Sequence, residues 1–263
     1  MPLFLKQNQK KQKELYLRCL SSVCIPSSLL KYYYVHYEYN RVDRLLYRKS
    51  LKKTLKMWGI KNATDFVRIL RFLLEEGTRQ EYDRVYQELT SLPFGARKNF
   101  LEYIESSVSI EEEENNILLA GGFKYHIYEN LLSTHPHYAK LYITNYGLHI
   151  LPNKGIVAFD VAWSIYLCRV GQVLGYITEG WAMKYMEKAV RLAMENYSNW
   201  HDYFQGYNIG CFFNRSIETY QAFLTKKHTV HTGNYMFEMF KRSSSPLYKL
   251  PWRNEFFNQP EQG

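Results

Sequence analysis

One stretch dictates most of what this chain can fold into. From Thr178 to Tyr197, apolar side chains recur at Ala182, Tyr185, Met186, Ala189, Val190, Ala193 and Tyr197. Steps of three and four put them on one face of an α-helix, and such a stripe is stable only when another apolar surface covers it. Thr178 is placed to cap that helix. The same period holds on either side: Asp160 opens a helix that closes at Gly175, and Ser198 caps a third with Tyr203, Phe204 and Tyr207 inward. Gly171-x-x-x-Gly175 and Gly206-x-x-x-Gly210 place small residues four apart, a spacing that suits close packing of helices.

Helical signals also fill the chain upstream. Residues 3–20 form a weak amphipathic helix that Pro26 ends, and a second starts at Ser27 or Ser28 and runs to Leu55. Asn62 or Thr64 caps a helix with Phe66, Ile69, Leu70, Leu73 and Leu74 on one face, and Gly77 supplies its left-handed end. Tyr82, Val85, Tyr86 and Leu89 face inward on the next. A turn at 92–95 and a short helix at 96–106 follow, and the acids Glu111–Glu114 start a helix over 117–132. Residues 133–156 suit either a short hairpin or a helix with a long loop. The predicted fold is mainly α: a compact multi-helix domain over 55–252 with at most a short hairpin, preceded by a basic helical arm over 1–54 and followed by a loose tail over 253–263. With 46% hydrophobic and 17% aromatic residues, the chain can bury such a core, and its 24 tyrosines require hydroxyl partners within it.

The C-terminal sequence Ser-Pro-Leu-Tyr-Lys-Leu-Pro-Trp, residues 245–252, reads as a latch. Pro246 and Pro251 hold an extended path, and Leu250 and Trp252 each contribute about 2–3 kcal/mol when buried.

Several chemistries have no sequence support. The four cysteines show no Cys-x-x-Cys spacing, which suggests buried thiols in a reducing, cytoplasmic compartment. His135/His137 and His228/His231 lack the spacing of a zinc site. No nucleophile elbow, phosphate loop or dinucleotide fingerprint occurs. No cofactor or metal is expected, no secretory signal is evident, and no stretch reaches the roughly 18 apolar residues of a membrane span. Asp160, beside Phe159 and Trp163, is the one acid/base candidate; its alternative is a helix cap or a buried ion pair.

Charge is distributed unevenly. Residues 1–56 hold 13 Lys and Arg against Glu14, Glu38 and Asp43, while the rest of the chain is nearly neutral, so the net +9 belongs to the N-terminal segment. There, Tyr33, Tyr34 and Tyr37 precede Arg48, Lys49, Lys52 and Lys53. Such a segment suits a solvated helix docked on the core, an acidic protein partner, nucleic acid, or an anionic membrane surface.

Five short motifs in order carry a resemblance. Trp58-Gly59-Ile60, the Gly77-x-Arg79 turn, the helix headed by Asp160 and ending in Gly175-Tyr176-Ile177, the Ser198-x-Trp200 cap, and the closing Ser245-Pro246 with Leu250-Pro251-Trp252 are similar to the bacterial proteins grouped as domain of unknown function twelve-sixty-six. The resemblance covers about residues 55–252. Trp58, Gly77, Gly175, Trp200, Gly210, Pro246, Pro251 and Trp252 are read as structural residues. That family places Trp before the aspartate and Arg three residues after it, where this chain has Phe159 and Trp163. The resemblance implies a fold unit and no activity. The expected function is a protein-interaction or scaffold protein; the alternatives are a nucleic-acid-associated protein using the basic arm and an enzyme using Asp160.

Overall fold

The stripe of residues 178–197 folds as a helix lying along the most buried helix of the protein. A computed structural model describes residues 3–24, 41–107, 118–119, 123–151, 155–215, 245–248, 250–252 and 257. In chain order the helices are α1 (Leu3–Ser21), α2 (Arg41–Met57), α3 (Ala63–Glu75), α4 (Arg79–Ser91), α5 (Phe94–Ser107), α6 (Tyr125–Thr134), α7 (Pro136–Ile150), α8 (Val157–Leu174), α9 (Glu179–Asn196) and α10 (Trp200–Phe213). The protein is mainly α. A two-residue antiparallel pair, β1 (Leu118–Leu119) with β2 (Phe123–Lys124), precedes α6.

The helix α8 is the axis of the larger core. Almost every residue from Val157 to Gly171 is buried, against α9, α3, α1 and α10. It is long and apolar enough to cross a membrane, contrary to the sequence expectation, but 78% of it is buried inside the protein. A second core gathers Tyr82, Val85 and Leu89 of α4, Leu131 of α6 and Ile143 of α7. The α10 helix serves both cores. Its Tyr203, Phe204 and Tyr207 face the first, and its Ile209, Phe212 and Phe213 face the second.

Several sequence expectations need correction. The helix expected over 117–132 is replaced by the β1–β2 pair and the later α6, because local acidic signals could not register the strand pairing. Of the two alternatives for 133–156 the helical one holds: residues 136–150 form a helix, started by Pro136 in its first turn. Phe94, expected in a turn, already begins α5. The α10 cap is Asn199, whose side chain accepts from the Asp202 N–H at 2.9 Å, not Ser198. Gly175 lies past the end of α8 in the left-handed region, φ +80°, so it terminates the helix instead of packing on it. At Gly171 the close neighbour is a ring, an added Cβ standing 2.2 Å from Phe66 Cζ, whereas at Gly210 the first turn of α8 comes close, an added Cβ standing 2.4 Å from Phe159 Cβ and 3.4 Å from Ile156 Cβ.

The two ends of the chain close onto one site. Trp252 is buried; its indole N–H donates to the Tyr197 carbonyl at 2.7 Å, and that of Trp200 donates to the Leu250 carbonyl at 2.9 Å. The two indoles meet edge to face, 5.0 Å between centroids. Tyr16 of α1 donates to the Trp252 carbonyl at 2.5 Å. Tyr203 and Tyr207 donate to the Leu20 and Val23 carbonyls. Buried tyrosine hydroxyls thus satisfy backbone carbonyls where α1 ends and where the latch passes. The N-terminal helix is therefore docked, with Tyr16, Leu17, Cys19 and Leu20 fully buried. Past the latch, Phe257 is also buried against Tyr16, so the segment expected to be loose has an anchor there. Pro246 is buried and Pro251 exposed.

Candidate functional site

Asp160 sits in the first turn of α8 and is 0% exposed. Its partners come from 81 and 82 residues away. Oδ1 accepts from the Thr78 N–H at 2.8 Å, and Oδ2 accepts from the Arg79 N–H at 3.2 Å and from Arg79 Nη1 at 3.0 Å. Thr78 makes no side-chain cap of its own, so the carboxylate of α8 caps the N-terminus of α4. The same guanidinium donates back to the Leu73 and Leu74 carbonyls at the end of α3, at 2.7 and 3.0 Å. An anion therefore meets the positive end of α4 and a cation the negative end of α3. Gly77 makes the junction fit. Its φ is +70°, and a Cβ there would lie 2.1 Å from Asp160 Oδ2.

Burial pushes the Asp160 carboxyl up to about 6, while the Arg79 guanidinium and the two backbone N–H groups pull it down. The value suits proton transfer, but the geometry does not. Both oxygens are engaged by protein donors, and none of the side chain reaches solvent. The arrangement is a structural ion pair.

The other chemical candidates are equally enclosed or dispersed. All four cysteines are free and buried. Burial raises the Cys19, Cys24 and Cys168 thiols and pushes that of Cys211 up to about 12, leaving them weak nucleophiles. Among the described residues, no group of three or more His, Cys, Asp and Glu could hold a metal. His135 is exposed at the junction of α6 and α7, and His137 Nε2 lies 3.3 Å from Glu88 Oε1. His228 and His231 lie outside the described residues, as do Tyr33, Tyr34 and Tyr37.

The cationic residues expected to bind a partner are exposed. In α2, Leu51 and Leu55 are buried, and Trp58 follows with its ring 5.3 Å from that of Trp163. Lys49, Lys52, Lys53 and Lys56 point away from Leu51 and Leu55, and with Arg48, one turn before Leu51, all are exposed. No acid occurs between Asp43 and Asp65. Arg48, Lys49, Lys52 and Lys56 form no ion pair with any acid among the described residues. Five cations thus share about 12 Å of helix. Lys56 was not singled out from sequence, although the same three- and four-residue steps place it on this face.

Sequence reasoning also missed a cleft of about 250 Å³ between α4 and the end of α7. Its polar side chains, Tyr82, Asp83, Tyr86 and Gln87, had been divided between core and surface by periodicity.

A family model described as "Protein of unknown function (DUF1266)" matches residues 55–252. No curated protein and no solved structure matches the chain.

Proposed function

This chain belongs to the DUF1266 family, proteins of unknown function, and on that premise we propose that it is a non-enzymatic interaction protein whose exposed α2 face docks an acidic protein partner. One observation carries this reading: Arg48, Lys49, Lys52, Lys53 and Lys56 are all exposed on a helix that Leu51 and Leu55 fix to the core. A rigid backbone holding adjacent exposed cations binds an acidic surface with little ordering cost. A protein partner is favoured over nucleic acid because the cationic stretch 48–57 of α2 holds no aromatic residue on which a base could stack. Against an enzyme stands the closure of Asp160. The buried free thiols are consistent with a reducing, cytoplasmic setting.

The test is affinity purification of the full chain from its own cells after nuclease treatment, at moderate salt. A stoichiometric acidic protein should be retained by the wild type and lost from the Lys49→Glu/Lys52→Glu/Lys53→Glu variant. Retention that disappears with nuclease would instead identify nucleic acid.

A further inference from the structure

We propose that the cleft between α4 and the C-terminal end of α7 binds a small organic cation, a primary-amine or guanidinium compound. This site is separate from α2 and independent of its role. At about 250 Å³ the cleft has room for on the order of eight waters, below the size of pockets for drug-like ligands.

Its floor is Tyr82. The residue is only 2% exposed and its ring is held edge-on by Phe213, 5.2 Å between centroids. Its hydroxyl makes no hydrogen bond with the described residues. A hydroxyl at the base of a cleft takes its partner from what enters the cleft, water or a ligand. The space above it exists because two neighbours lack side chains. A Cβ at Gly147 would stand 2.8 Å from the Tyr82 hydroxyl, and one at Gly155 would stand 3.0 Å from its ring.

The walls define the ligand class. Asp83 stands at the rim, exposed and in no ion pair with the described residues, and the Tyr86 ring lies 6.4 Å from that of Tyr82. The charge of Arg79, one turn earlier on α4, acts on Asp83, but its guanidinium is bonded to Asp160. The cleft presents one carboxylate and no cation among its described lining residues. Burial raises the Asp83 carboxyl above its usual value, against the opposing pull of Arg79, so its charge is incompletely solvated. A carboxylate beside two tyrosine rings favours a cation, by charge-assisted hydrogen bonding and by the rings' negative faces. Opposite, Leu148 and Leu151 offer an apolar wall for a methylene chain.

Isothermal titration of the full chain with agmatine and putrescine tests the assignment, with n-butanol as the neutral control. At least one cation should bind with one-site stoichiometry and n-butanol should not. Asp83→Asn should weaken binding about tenfold or more, the loss expected for one charge-assisted hydrogen bond. Leu151→Lys, which places a cation in the cleft, should abolish it. The α2 triple reversal should leave it unchanged, which separates this site from the proposed partner face. No saturable binding of either cation up to millimolar concentration overturns the proposal. So does binding that survives both cleft variants, or equal binding of the alcohol.

Discussion

Arg79 and Asp160, 81 residues apart, form one buried ion pair whose members each cap a different helix. This pair ties the α3–α4 turn to α8. Replacing Arg79 by Met leaves a buried carboxylate without its cation and should cost about 3–5 kcal/mol. Replacing both residues by apolar ones should cost less than the sum of the two single changes. Urea unfolding of the four proteins measures both quantities.

The pair also sets a pH dependence. The Asp160 carboxyl holds its proton more tightly in the folded protein, to about pH 6, than in the unfolded chain. Its contribution to stability is therefore full below the unfolded value and is lost as pH rises through 6. Relative to Asp160→Asn, wild-type stability should fall by about 3 kcal/mol between pH 4 and 6, and then stay level. In Arg79→Met the carboxyl should rise further, so acidification should partly restore that variant. Unfolding free energies at several pH values check the sign.

Gly77 admits no side chain. Gly77→Ala must adopt a left-handed φ and also drive a methyl into Asp160 Oδ2. The expected loss is about 3 kcal/mol or more, exceeding the roughly 1–2 kcal/mol of backbone strain alone. Gly175→Ala is the control: it has similar φ, but nothing lies within 4 Å of an added Cβ, so it should show the strain term only.

The latch predicts coupling between the chain ends. Trp252→Ala removes a buried indole and its hydrogen bond to Tyr197, at a cost of about 3–5 kcal/mol. Because Tyr16 donates to the Trp252 carbonyl, amide exchange in the C-terminal half of α1 should accelerate in the same variant. Unchanged protection of α1 would show the ends to be independent.

Much of this architecture was legible because it is local. The α9 stripe, the Asn62 cap and the left-handed Gly77 each depend on neighbours within a few turns. What one sequence could not register was pairing at a distance. Gly77-x-Arg79 and Asp160 were each singled out, but nothing within either motif says that they meet. Asp160 was expected to head its own helix or pair within the fold; it caps another helix and pairs with Arg79. The cleft was hidden for a similar reason. Tyr82 has the spacing of a core residue and the burial of one, and only the placement of Gly147 and Gly155 over it opens the space. The exposed α2 cations follow from periodicity around Leu51 and Leu55, and charge excess alone located them.

The measurement that bears most directly on the proposed function is titration of the purified chain with an acidic peptide and, separately, with a single-stranded oligonucleotide, over a range of salt. The peptide should bind at moderate salt. The Lys49→Glu/Lys52→Glu/Lys53→Glu variant should lose that binding with its unfolding midpoint unchanged, since exposed charges contribute little to stability. Tighter binding of the oligonucleotide, with a steep salt dependence, or peptide binding that survives the charge reversal, would contradict it.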